Sequence, residues 1–350
     1  MTAAGLLELT GARLPIVQAP MANFAGRELA IAAIGAGGVG SLACAVLDAA
    51  TVGIEVAAIR AAATGPLNLN FFCHTLGPQP DETVWRTTLA PFYAEEGVAP
   101  PTGSPPLRRP FDAAMAEAVE QARPEIVSFH FGLPDEALLA RVRAMGTLIF
   151  GNATTLAEAH HLAAQGCDAI IVQGREAGGH AGYFLDGYRS RPLEEILPEI
   201  VAAVDVPVIA AGGIADAIGV SAAMANGAAA IQVGTAYLLT PEAWTSAVHR
   251  RRIETAYPGD LIATNLFSGG VAGGLRNRLT DALGPISDLA PPFPYASAAL
   301  APLRAKAESE GRGDFSPLWA GDGVTHARAE SAGDVTRRLG SAALNYRSHS

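Results

Sequence analysis

Short apolar runs recur over residues 15–233, each separated from the next by a stretch with helical spacing. The runs occupy residues 15–19, 38–42, 66–72, 126–130, 147–150, 169–173, 207–210 and 230–233. Apart from Leu67-Asn68-Leu69-Asn70, none alternates apolar with polar, as a strand with one wet face would, so they read as parallel strands covered by helices. Helices are predicted over 27–36, 51–63, 112–123, 135–144, 155–165, 193–204 and 215–226. This succession of β/α units predicts a (β/α)8 TIM barrel, with a doubly wound sheet as the runner-up.

The rhythm breaks in two places. Residues 74–110 are proline-rich: Pro78-Gln79-Pro80 and the run Ala99-Pro100-Pro101-Thr102-Gly103-Ser104-Pro105-Pro106 fit neither a regular helix nor a central strand. With a helix over 82–96 between them, this reads as an excursion over one end of the fold. After residue 240 no strand rhythm remains. Helices are predicted over 241–257, 297–310 and 333–345, with a flexible segment at 267–274. The chain therefore divides into a barrel over 1–240 and a helical extension, 241–350, packed on it rather than standing alone.

Composition narrows the function. At 350 residues and 49% hydrophobic the chain can bury a large core, and 17% charged residues argue against disorder. A net charge of −10 and a pI near 5.3 exclude a general nucleic-acid binder. The basic run His249-Arg250-Arg251-Arg252 reads as a helix end or solvated face. Cys44, Cys73 and Cys167 are odd in number and lack CxxC spacing, which points to a reducing compartment and no metal cage. No signal peptide and no apolar run of about 18 residues is present, so a cytoplasmic protein without a membrane partner is expected. Lys306, the only lysine, lies in a charged helical stretch, which argues against Schiff-base and P-loop chemistry.

The chemistry concentrates after the sixth run, in Gln173-Gly174-Arg175-Glu176-Ala177-Gly178-Gly179-His180-Ala181-Gly182. Glycines there allow close backbone approach to a ligand, and His180 is the side chain that titrates near neutrality. Glu176 either pairs with His180 or caps the loop. Gly35-Ala36-Gly37-Gly38-Val39-Gly40 matches a dinucleotide fingerprint by letters, but a helix precedes it and a strand follows, the reverse of what that site needs. Gly212-Gly213 and Gly234-Thr235 do have the right context: each follows a strand and opens a helix, and on consecutive strands they read as a phosphate site. Gln18, Asn70, His130 and Gln173 end strands at the same mouth, and the three amides among them suit a heterocycle such as a flavin or nucleotide. His130 either faces the pocket or is a core histidine. His74, His160, His161, His249, His326 and His349 read as structural or solvated, and no zinc spacing is present.

Several of these segments resemble the nitronate monooxygenases, formerly 2-nitropropane dioxygenases. They are Pro15-Ile16-Val17-Gln18-Ala19-Pro20-Met21, Asn70 after its strand, the Gln173–His180 loop with its Ala-Gly-Gly-His, Ala211-Gly212-Gly213-Ile214, and Gln232-Val233-Gly234-Thr235-Ala236. Asp314-Phe315-Ser316-Pro317-Leu318-Trp319-Ala320-Gly321 is similar to bacterial members. The resemblance implies FMN in the barrel. Met21 and Ala22 would approach it through the backbone; Asn70, Gln173, Gly178 and Gln232 would belong to its contacts; Gly212, Gly213, Gly234 and Thr235 would hold its phosphate; and His180 would be catalytic. It further implies oxidation of alkyl nitronates, and of nitroalkanes, by O2 to carbonyl compounds and nitrite. One departure stands out: where some members carry a His-Lys pair after the fifth strand, this chain reads Phe150-Gly151-Asn152-Ala153. The alternative is a flavin-dependent enoyl-acyl-carrier-protein reductase using NAD(P)H, which shares the Ala-Gly-Gly-His segment. A third reading is a non-enzymatic nucleotide-phosphate sensor. Homo-oligomerisation is left open.

Overall fold

The computed structural model describes residues 3–103, 107–189 and 191–349. Ser104, Pro105 and Pro106 of the proline-rich run, and the side chain of His349, lie outside what is described. The strands are β1 (Ile16–Gln18), β2 (Gly40–Ala43), β3 (Leu67–Phe72), β4 (Ile126–His130), β5 (Leu148–Ala153), β6 (Ala169–Gln173), β7 (Gly179–His180), β8 (Val208–Ala211), β9 (Ala230–Val233), β10 (Leu261–Thr264) and β11 (Ala272–Leu275). Eight of them form one parallel sheet in the order β1-β9-β8-β6-β5-β4-β3-β2. A parallel bridge between Val17 and Val39 closes it into a ring, with Val39 N–H donating to Ile16 O and Gln18 N–H to Val39 O, both at 2.9 Å. Closure rules out the doubly wound sheet, because an open sheet would leave β1 and β2 as edges.

The strands form as read because their side chains are buried on both faces, against the interior and against the helix ring. Helices begin promptly after the loops because acceptor side chains satisfy their first free N–H groups. Asp48 accepts from Thr51, Asp112 from Met115, Asp135 from Leu138 and Asp216 from Gly219, at 2.7–2.9 Å. In the ring, β3 and β4 lie diametrically opposite β8 and β9. Registers place Gln173, Ala211 and Gln232 level with one another, and Asn70 level with Ser128.

Several elements differ from expectation. Residues 258–275, read as strandless and partly flexible, contain β10 and β11, which pair antiparallel with each other and with β7 in a three-stranded sheet. The helix expected over 241–257 is only Ala247–Glu254. Its first residues instead wrap around Arg250, whose guanidinium donates to the carbonyls of Leu239, Thr240, Ala243 and Thr245 at 2.7–3.1 Å. Arg250 is thus a structural hub rather than part of a solvated face. Additional helices lie at Ala3–Thr10 and Arg278–Leu283.

The excursion and the C-terminal region share a core. The helix Thr83–Glu96 lays Trp85, Leu89 and Tyr93 against Leu300, Leu303 and Phe315. Tyr93 Oη donates to Ala299 O at 2.5 Å, and Arg278 and Arg312 both pair with Glu96. The last helix, Ala332–His349, returns to pack on the helices Arg27–Ala36 and Ala217–Ala225. Among the described residues no helix is long and apolar enough to cross a membrane.

Candidate active site

A cavity of about 1430 Å3, counted out to its open mouth, lies at the C-terminal ends of the barrel strands. Met21, Ala22, Asn70, Gln173, Gly178, His180, Gly212, Gly213, Gln232, Gly234 and Thr235 all line it. Gln18 does not. Its amide oxygen accepts from Ser41 N–H at 2.8 Å inside the barrel, where a buried backbone donor needs a partner.

His180 sits in β7, and its pairing with Ala272 fixes the backbone that presents the ring. Gln173 secures the same loop from below: its amide nitrogen donates to His180 O at 2.9 Å, and its oxygen accepts from Gly182 N–H at 2.9 Å. Asn152 donates to that oxygen at 3.2 Å. Gln173 is therefore largely engaged by the protein. Glu176 caps rather than pairs with His180, accepting from Leu193 N–H at 3.0 Å.

The imidazole Nε2 of His180 lies 2.7 Å from Ser268 Oγ. Ser268 Oγ in turn donates to Gly270 O at 3.3 Å, so a chain from Nε2–H through the hydroxyl to a carbonyl is formed when Nε2 carries the proton. That tautomer leaves Nδ1 as the free lone pair, and among the described residues Nδ1 has no hydrogen-bond partner. Phe293 and Trp319 flank the ring, with centroids at 5.2 and 5.5 Å. Burial, and then the charge of Arg108, hold the His180 pKa well below its ordinary value, so the ring is neutral.

His130 belongs to the cavity: its Nε2 donates to His180 O at 3.2 Å, and burial pushes its pKa down to about 4. His74, read as structural or solvated, stands beside the site, its ring 4.9 Å from that of Phe293, with its pKa also pushed down to about 4 by burial. His249 is a core residue edge-on to Phe24, pushed to about 4 by burial. These three groups imply a pH dependence of stability. Unfolded histidine takes a proton near pH 6.5, whereas the folded protein resists it to about 4, so their contribution is intact above pH 6.5 and is lost as pH falls toward 4. The thermal midpoint should drop from pH 7 to pH 5; an unchanged midpoint would contradict the buried neutral state.

Residues from outside the barrel complete the wall: Arg108 from the excursion, and Arg304, Pro317 and Trp319 from the C-terminal region. Only the Trp319 segment carried a sequence signal. Ser268 and Phe293 lie in stretches with no pattern to mark them.

On the opposite side, several cavity groups keep spare hydrogen-bonding capacity or open backbone. Gln232 Oε1 is buried and has no hydrogen-bond partner. Thr235 Oγ1 already accepts from Gly321 N–H at 3.0 Å, which leaves its proton to donate. A Cβ placed on Gly234 would meet only Ala19 Cβ and Met21 Sδ, both at an ordinary 3.5 Å, so the protein itself does not require glycine there. Gly212 and Gly213 have φ of +128° and +68°, and their backbone conformation does require it. Asn70 lines the cavity while its amide nitrogen donates to Ser128 Oγ at 2.9 Å.

Comparison with known proteins is consistent over the full length. The family model described as nitronate monooxygenase matches residues 4–340. A nitronate monooxygenase of Pseudomonas aeruginosa is 36% identical over 339 residues, spanning 95% of this chain and 96% of that one. A solved structure of nitroalkane oxidase from Streptomyces ansochromogenes superposes with a TM-score of 0.87 at 35% identity, over 98% of this chain and 99% of the other. FabK from Thermotoga maritima superposes with a TM-score of 0.74 at 20% identity, over 99% and 97% of the two chains, which speaks to the fold alone.

Proposed function

The chain belongs to the nitronate monooxygenase family of oxidoreductases, and on that premise we propose that it binds FMN and uses O2 to oxidise alkyl nitronates, and nitroalkanes more slowly, to carbonyl compounds and nitrite. The observation that carries this reading is the gathering of His180 and the glycine loops after β8 and β9 around one cavity. Gly212, Gly213, Gly234 and Thr235 hold the cofactor's phosphate by backbone N–H groups and one hydroxyl. Gln232 Oε1 accepts from the cofactor, and Met21, Ala22, Asn70, Gln173 and Gly178 border it. Bound FMN supplies the electron transfer between substrate and O2.

This chain's residues do the rest. The neutral His180, with Nε2–H held by Ser268, keeps Nδ1 free to take the α-proton of a neutral nitroalkane. Toward a preformed nitronate the same ring only positions. Phe72, Phe293 and Trp319 keep water from the reacting face. The barrel over 1–240 supplies the cofactor site, and the extension over 241–350 closes it.

The purified protein should be yellow, with flavin absorbance bands, and should consume O2 with propane-2-nitronate. Oxidation of NADH or NADPH by an enoyl thioester, without nitronate-dependent O2 uptake, would instead favour the reductase. Asn70→Ala should weaken FMN binding by about 0.5–1.5 kcal/mol, an ordinary hydrogen bond. Unchanged flavin affinity in a titration of apoprotein would show that Asn70 serves only Ser128.

A further inference from the structure

The charges on the cavity wall are unbalanced. Arg108 and Arg304 line it, and no aspartate or glutamate does so among the described residues, in a chain whose net charge is −10. Arg304 has a partner, Glu308 Oε1 at 2.8 Å. Arg108 is half-buried and paired with no carboxylate among the described residues; the other charge acting on it is that of Arg304, which is also positive. A desolvated guanidinium facing a second cation is costly unless an anion joins them.

We propose that Arg108 is the specificity residue of the cavity, receiving the anionic end of the substrate and thereby selecting nitronate over neutral nitroalkane. This rests on the nitronate reading of the site.

Position separates Arg108 from the cofactor's phosphate. The chain segment carrying Arg108 meets the end of β3, which lies across the ring from the glycine loops after β8 and β9. Phe111 N–H donates to Phe72 O at 2.7 Å, which ties the segment carrying Arg108 to that strand end. Arg108 and His180 line the same cavity. The planar guanidinium fork matches the two coplanar oxygens of a nitronate, a geometry that an ammonium does not reproduce.

The test uses flavin-loaded protein with Arg108→Gln and Arg108→Lys. Nitrate, a planar oxyanion that does not react, is the calorimetric probe. In Arg108→Gln, the nitrate Kd and the KM for propane-2-nitronate should both rise roughly 10- to 100-fold. FMN content and the KM for neutral 2-nitropropane should stay at wild-type values, and Arg108→Lys should recover part of the loss. Unchanged nitrate and nitronate binding would overturn the proposal. So would an equal rise in KM for neutral 2-nitropropane, which would mean shape rather than charge, or loss of FMN, which would assign Arg108 to the cofactor. If the wild type turns over no nitronate, the functional reading fails. The nitrate titration then still decides whether Arg108 recognises an oxyanion.

Discussion

His180→Asn should lower turnover of a neutral nitroalkane by about 10²–10⁴-fold, the range for losing a positioned general base, and lower turnover of preformed nitronate much less. Asparagine keeps the size and a hydrogen-bonding group but has no basic nitrogen. FMN should remain bound, because His180 packs against Phe293, Trp319 and Ser268 rather than the glycine loops. The base is active when deprotonated, so activity with nitroalkane falls as pH drops through its pKa. Burial and Arg108 depress that pKa, so the acid limb should lie below pH 6.5, the value of an ordinary imidazole. Ser268→Ala frees Nε2 and the tautomer, and should reduce nitroalkane turnover in the same direction but by less. An equal loss for both substrates in His180→Asn would make the ring a positioning group. No loss for either, in flavin-replete protein, would remove it from the chemistry.

Gly234→Asp should produce folded apoprotein, with flavin binding weaker by on the order of 10²–10³-fold. Two like charges about 4 Å apart near a protein surface repel by about 4 kcal/mol. The site is suited to this test because its backbone is ordinary, at φ −117°, and the added Cβ meets only van der Waals contacts. Gly212 and Gly213 are poorer choices. Their positive φ strains any side chain, and a Cβ on Gly213 would approach Glu176 Cβ to 3.0 Å, so lost flavin could reflect a distorted loop. The measurement is flavin content after purification alongside the thermal midpoint. Full flavin occupancy in folded Gly234→Asp would move the phosphate elsewhere.

What the sequence determined by itself was local. A β-prone run ending in glycine, followed by a helix with an aspartate at its start, has one reading wherever it sits, because strand burial, backbone freedom and helix capping act within about ten residues. The barrel, the loops after β8 and β9, and the exit of His180 from β6 followed from such units. The tertiary structure decided what depended on partners distant in the chain. β11 was invisible because Ala272-Gly273-Gly274-Leu275 has no strand propensity of its own and is a strand only through pairing with β7 and β10. Gln18 and Asn70 look alike at strand ends, but the ring turns one inward to Ser41 and brings the other to the cavity. Ser268 brings a hydroxyl to His180 Nε2, and Arg108 brings a positive charge to the wall. Each comes from a stretch without periodicity and reaches the site only because the excursion and the C-terminal region fold over the mouth. Chemistry placed by chain crossings of this kind leaves no spacing to read.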